Sequence, residues 1–263
     1  MFSQDSGGGE TKPNGHAVQF YGGNELSLVR NVGLCLWEGL EQRSGVLVIA
    51  TEDHTEAFQN ELRRLGASVD TIVREGRLVF LNAHETLARF IVDGYPDWSR
   101  FEKTVGAAMR DVSARADNAR VYRYGEMMGI LWEGGQVSAA LRLEQFWNKL
   151  LESMPFTLFC AYPIDIFSRQ FDMSAMDDLL CAHTHVHSSG GNGDLDGAIH
   201  RAIQEVLGPR ADGLRPLIKG NYRPAWALLP KAEGTILWLR NNLPDAADRI
   251  LDRARELYRL PSH

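Results

Sequence analysis

Acidic residues that directly follow apolar runs, histidines beside aromatics, and one alternating histidine run carry most of the chemistry in this 263-residue sequence. Glu52 and Asp53 follow the run Val46–Ala50 (VLVIA), and Glu126 follows Val121–Gly125. Carboxylates so placed can bind a cation, serve as general bases or cap the next helix. His16, Phe20 and Tyr21 put a polar ring and two aromatics in one short stretch. That pattern is either one wall of a ligand pocket or a buried strand whose histidine is hydrogen bonded. Met127, Met128, Leu131, Trp132 and Trp147, with Glu126 and Glu144 among them, supply a polarizable apolar lining with few polar anchors, as a small-ligand pocket requires. Ordinary core packing draws on the same residues. Glu144 and Trp147 are three positions apart and share a helical face, so Glu144 is a pocket group or the partner of a buried donor. His183, His185 and His187 would project to one side of an extended segment, where they could hold Zn²⁺ or Ni²⁺. Beside a Gly/Ser stretch they read instead as a surface or hinge run, so no metal site is assigned.

These residues need elements to position them. Leu26, Val29, Val32, Leu36 and Leu40 recur at helical spacing, and the period predicts a helix with one buried face. VLVIA is apolar on both sides, as a strand inside a parallel sheet must be. A second helix is expected from Thr55 to Gly66, a strand over Arg77–Leu81, and a helix opened by Asp97 or Ser99. A strand over Val121–Tyr124, a helix over Val137–Ser153 and an apolar strand over Thr157–Tyr162 follow. Alternating strands and helices predict an α/β fold with a mainly parallel sheet flanked by helices. Residues 1–15 read as a disordered tail, 16–187 as the α/β domain, 188–194 as a linker and 195–263 as a helical segment. In that segment Leu195–Leu207, Gly234–Asn242 and Pro244–Tyr258 are expected helices. Its aromatics Tyr222, Trp226, Trp238 and Tyr258 look exposed and suited to an interaction surface.

Composition narrows the function. At 44% hydrophobic and 24% charged residues, collagen-like, coiled-coil and wholly disordered chains are excluded. No apolar run is long enough to span a bilayer, and the first residues have no signal-peptide core. Three cysteines (Cys35, Cys160, Cys181) form no disulfide framework, and Cys35 and Cys160 look like inert core thiols, so a reducing cytoplasm is expected. The net charge of −6 argues against direct nucleic-acid binding. Gly-x-Ser-x-Gly, His-Glu-x-x-His and Cys-x-x-Cys are missing from the sequence. No residue is therefore assigned as catalytic, and no cofactor is indicated.

Five motifs occur in order: HAVQFY at 16–21, AHETL at 83–87, YGEM at 124–127, LEQFWN at 143–148 and FCAYP at 159–163, before an ending at Cys181-Ala182-His183. Together they resemble the MEDS domain, the sensory domain named for methanogens, methylotrophs and the dichloromethane-metabolism regulator DcmR. The resemblance implies a sensing module joined to an output, and a layout similar to KaiC/RecA-type ATPases. In such ATPases a loop after the first strand cradles phosphate; here it reads Tyr21-Gly22-Gly23-Asn24-Glu25, with no lysine and no GK[ST]. ATP hydrolysis is therefore not expected, while nucleotide binding by a degenerate loop stays open. The expectation is a sensor that takes a small-molecule ligand or a signalling protein, with a homodimer possible and no membrane partner. Its ligand-binding set is His16, Phe20, Tyr21, Glu52, Asp53, Glu126, Met127, Trp132, Glu144 and Trp147. A structural oligomerisation module is the further alternative.

Overall fold

The computed structural model describes residues 15–22, 25–154, 156–168, 173–188, 195–221 and 229–259. Except for Gly15 and Ser188, the expected tail and linker lie outside these residues, as do Tyr222 and Trp226. The chain runs β1 (His16–Phe20), α1 (Glu25–Glu41), β2 (Ser44–Ala50), α2 (Glu52–Arg64), α3 (Val69–Arg74), β3 (Leu78–Asn82) and α4 (Ala83–Ala88). A small hairpin, β4 (Ile91–Val92) and β5 (Tyr95–Pro96), precedes α5 (Trp98–Phe101), a π-helical segment (Glu102–Gly106) and α6 (Ala107–Ala114). Then come β6 (Asn118–Gly125), α7 (Met127–Glu133), α8 (Val137–Ser153), β7 (Phe156–Tyr162), α9 (Met173–Cys181) and β8 (His185–His187). Four helices end the described chain: α10 (Leu195–Leu207), α11 (Ala211–Asn221), α12 (Lys231–Asn242) and α13 (Pro244–Arg259).

Six strands form one parallel sheet in the order β3-β2-β6-β7-β1-β8. The α/β class read from the apolar runs is the class observed. β1, β2 and β7 are buried along their whole lengths, which is why they lack the polar alternation of a one-sided sheet. One face packs on α1, α2 and α3 through Leu28, Val32, Leu36, Phe58 and Leu62 against Val46, Val48, Tyr122, Tyr124 and Phe159. The other face meets α7, α8 and α9, and one continuous apolar core runs from there into α10, α12 and α13. Burying a leucine or phenylalanine side chain stabilises by about 2 kcal/mol, so the C-terminal helices are part of the folded body.

Local chemistry sets several boundaries differently from the periodicity. α2 begins at Glu52, not Thr55, because the Thr51 side chain caps it by accepting from the His54 N–H, an interaction that fixes a helix start. Of the two proposed openers of α5, Asp97 is the cap, accepting from the Arg100 N–H at 2.9 Å. α12 starts at Lys231, three residues before the expected Gly234. The histidine run is no hinge: His185–His187 is the edge strand β8, paired with Ala17–Gln19 of β1. Trp238, expected at the surface, is buried, and Tyr258 packs against the core.

Candidate functional site

Two polar clusters lie on opposite faces of the sheet. The first is built at the carboxyl ends of β2 and β6, where open parallel sheets bind their ligands. β6 ends at Gly125, and Glu126 then turns its carboxylate back over β2. Its Oε1 accepts from the Thr51 N–H, and its Oε2 accepts from His54 Nδ1 at 2.5 Å and from the Tyr124 hydroxyl at 2.8 Å. Tyr21, directly after β1, sets its ring edge-on to His54 with centroids 5.8 Å apart. Burial by itself would raise the Glu126 carboxyl, but the hydrogen bond and charge of His54 outweigh it and hold the carboxyl low. The reciprocal holds at His54: burial opposes protonation, and Glu126 more than offsets it, raising the imidazole pKa. Burial, then the Glu126 charge, raises the Tyr21 phenol. Both shifts favour a carboxylate facing an imidazolium, with a tyrosine at the margin of the pair.

Sequence reasoning put Glu126, like Glu52 and Asp53, just past a strand, and the structure brings the 51–54 segment to it through different residues. Glu52 and Asp53 are exposed in the first turn of α2, and the partners of Glu126 are Thr51 and His54. His54 was missed because a histidine four residues beyond a strand has no spacing signature. Only the cap at Thr51 turns its ring inward.

The second cluster sits beneath α8. His16 opens β1, Cys160 lies in β7, Glu144 points down from α8, and His183 ends the turn after α9. All four are buried. His16 Nε2 is 3.1 Å from Cys160 Sγ and 3.2 Å from Glu144 Oε2, and His183 Nε2 is 3.4 Å from Glu144 Oε1. The Tyr162 hydroxyl donates to Glu144 Oε1 at 2.5 Å. Burial would raise the Glu144 carboxyl, but the charge of His183 and the hydrogen bond of His16 hold it well below the usual range. Burial, and then His183, lower the His16 pKa. Of the two roles open to Glu144, the geometry gives it buried donors as partners. Cys160, read as an inert core thiol, stands in this polar centre, and burial pushes its pKa up.

The other expected site residues divide between these places and the core. His16 and Tyr21 cannot form one wall: five residues of strand separate them by roughly 16 Å, one at the amino end of β1 and the other past its carboxyl end. Phe20, Met127, Met128, Leu131 and Trp147 are core residues, and Trp147 Nε1 donates to Met128 Sδ at 3.2 Å. Trp132 is half-buried, edge-on to Tyr162 at 5.6 Å, beside the loop that follows β7. The three histidines do not converge as one ligand set. His183 faces Glu144, while His187 stacks on Phe159 on the other face at 4.6 Å, its pKa lowered to about 4 by burial and by His185. Arg123 is the most surprising residue of β6. It is fully buried, with its guanidinium carbon 3.1 Å from the Phe156 ring centroid and Nη1 2.6 Å from Met109 Sδ. Its position inside an apolar strand gives no hint of that environment in sequence.

One segment connects the carboxyl end of the sheet to the C-terminal helices. After β7, Ile164 and Asp165 press so closely on Gly22 that a Cβ there would lie 2.6 Å from Asp165 Cα, and Gly22 has φ +37°. Arg240 of α12 donates to the carbonyls of Ile166 and Ser168 at 3.1 and 2.5 Å, and Arg255 of α13 pairs with Asp165.

No helix among the described residues is long and apolar enough to cross a membrane. No curated protein matches the chain. The family described as MEDS, the methanogen/methylotroph and DcmR sensory domain, matches residues 15–184, from the residue before β1 to the residue before β8. That span takes in both clusters and well over half of the sequence, and the chain belongs to the MEDS family of sensory domains.

Proposed function

We propose that the protein is a cytoplasmic sensor that receives a small molecule at the carboxyl ends of β1, β2 and β6 and relays its presence to α12 and α13. The observation that carries this reading is the Glu126–His54 pair, a buried charge pair held where an open α/β sheet offers its ligand crevice. Ion pairs in such positions cost desolvation that packing alone does not recover, and perturbed groups of this kind concentrate at functional sites. Tyr21, Thr51 and Trp132, each half-buried, supply the margin a ligand would touch. Glu52 and Asp53 stand at the rim.

The relay runs through residues 163–168. They press on Gly22 beside Tyr21 at one end and are held by Arg240 and Arg255 at the other. A ligand shifts a two-state equilibrium only as far as it prefers one state, so occupancy should change how this loop is gripped. A signalling protein as partner, or a homodimer as the working form, fits the same architecture.

Native mass spectrometry of freshly purified chain tests the proposal. A retained small molecule in the wild type, lost in Glu126→Gln and Trp132→Ala, supports it. Retention unchanged in both variants, or no small molecule bound at all, overturns it. Binding of Mg²⁺-ATP at millimolar concentration would instead favour the degenerate-loop nucleotide reading, and a stable multimer without ligand the oligomerisation reading.

A further inference from the structure

The cluster beneath α8 has the donor set, spacing and supporting bonds of a metal centre. We propose that His16 Nε2, His183 Nε2, Cys160 Sγ and a Glu144 carboxylate oxygen form a closed four-coordinate site for a divalent transition ion, zinc foremost. These atoms all lie within 4.8 Å of one another. With metal bonds of about 2.0–2.3 Å, the edges of a tetrahedron measure about 3.3–3.8 Å. Of the six edges, four have stated lengths: 3.1 Å from His16 to Cys160, 3.2 and 3.8 Å from His16 and Cys160 to Glu144 Oε2, and 3.4 Å from His183 to Glu144 Oε1. Two imidazoles, one thiolate and one carboxylate suit Zn²⁺ and its neighbours, and not the hard all-oxygen preference of Mg²⁺ or Ca²⁺.

A second observation concerns the far nitrogens. His16 Nδ1 is 2.9 Å from Asn148 Oδ1, and Asn148 is oriented because its Nδ2 donates to the Ala182 carbonyl at 3.1 Å. His183 Nδ1 donates to the Leu179 carbonyl at 2.7 Å. Both Nδ1 atoms therefore carry hydrogens, and both Nε2 atoms turn toward the centre, as the outer bonds of metal-bound histidines arrange. His183 Nε2 is buried, with Glu144 Oε1 at 3.4 Å. In the neutral ring, with its hydrogen on Nδ1, the Nε2 lone pair faces that carboxylate oxygen, another acceptor, and the two imidazole centroids are 4.1 Å apart. A cation at the centre turns this opposition into attraction. Thiolate and carboxylate together balance the two positive charges of the ion, and the Tyr162 hydroxyl anchors Glu144 from outside. The alternative of a Cys–His–Asn nucleophile fails on access, since Cys160 and His16 are both buried and no substrate could reach the sulfur.

The ion would join β1, β7, α8 and the turn before β8, so binding it would be coupled to folding. This site stands apart from the ligand reading at Glu126 and survives its failure. The test is metal analysis of full-length chain purified without chelators, followed by unfolding, chelation and refolding with Co²⁺. The expected result is about one ion per chain, and a cobalt spectrum with tetrahedral visible bands and a thiolate charge-transfer band. X-ray absorption should show one sulfur at about 2.3 Å and three lighter atoms at about 2.0–2.1 Å. Cys160→Ser should lose the charge-transfer band, and the His185→Ala/His187→Ala double variant should keep it. The wild-type absorption spectrum decides the matter even if Cys160→Ser does not fold. Chain that holds no metal and takes up neither Zn²⁺ nor Co²⁺ on refolding overturns the proposal, as does a sulfur-free coordination shell.

Discussion

At the scale of single residues, what distinguishes this chain is where its charges are buried. His54 and Glu126 shift in opposite directions, and the pair has a pH signature. The raised His54 value gives stability that is fully present below its unfolded value of 6.5 and is lost as pH rises through the higher folded value. The lowered Glu126 value gives stability that is present above 4.5 and is lost as pH falls through the lower folded value. Both contributions are complete between those two values. Removing one partner of a buried pair costs about 3 kcal/mol. Urea denaturation at pH 5.5 should therefore show His54→Gln less stable than wild type by about that amount. The difference should shrink steadily when the comparison is repeated as pH rises above 6.5 through the raised folded value. A gap that is constant from pH 5.5 to 9 would mean the pair contributes no charge-dependent stability. Only one partner announces itself in sequence: Glu126 was legible because it follows a strand, whereas His54 was not, because its role depends on the turn that Thr51 caps.

At the scale of elements, close backbone approaches set the geometry of the sites. α7 begins directly after Glu126 and lies across β7 at Gly129, where a Cβ would stand 2.6 Å from the Ala161 carbonyl oxygen and 3.0 Å from Pro163 Cδ. Gly129→Ala should cost about 2 kcal/mol through overpacking, which for a domain of this size is a fall in Tm of roughly 4–8 °C. Because the clash falls on the start of the 163–168 segment, the same variant should weaken ligand retention as well as stability. An unchanged Tm by scanning calorimetry would mean α7 can back away from β7 freely. Long, strongly periodic elements were legible: α8 occupies the residues its apolar spacing predicts, and β2 and β7 contain theirs. Short ones were not. α3, α4 and the hairpin β4–β5 carry few apolar positions, although Asp93-Gly94, both at positive φ, is the dipeptide a tight hairpin turn selects.

At the scale of the whole molecule, the sensing domain and the C-terminal helices share one core, and charged side chains join them at one loop. Arg240 is the firmest of these ties, a nearly buried guanidinium donating to two backbone carbonyls. Its removal should cost about 2 kcal/mol locally. Amide exchange of residues 163–168 in Arg240→Ala should then quicken by roughly 30-fold, while β2 and β6 keep their wild-type rates. Hydrogen exchange read by mass spectrometry resolves these segments, and identical rates in the loop would remove Arg240 from the relay. Arg255 acts from a more exposed position, where its ion pair with Asp165 is worth less.

The sequence by itself determined the α/β class, the order of the main strands and helices, and the MEDS membership. All of these depend on local apolar runs and on short motifs that can be read in one dimension. Tertiary structure decided which residues form a site. His16 and His183 stand 167 positions apart, and they meet because β8 pairs with β1 while α9 returns to the face that α8 covers. Likewise Glu126 reaches His54 because β6 lies next to β2 in the sheet. Strand order decides such meetings, and it depends on packing between distant segments, which no local spacing records.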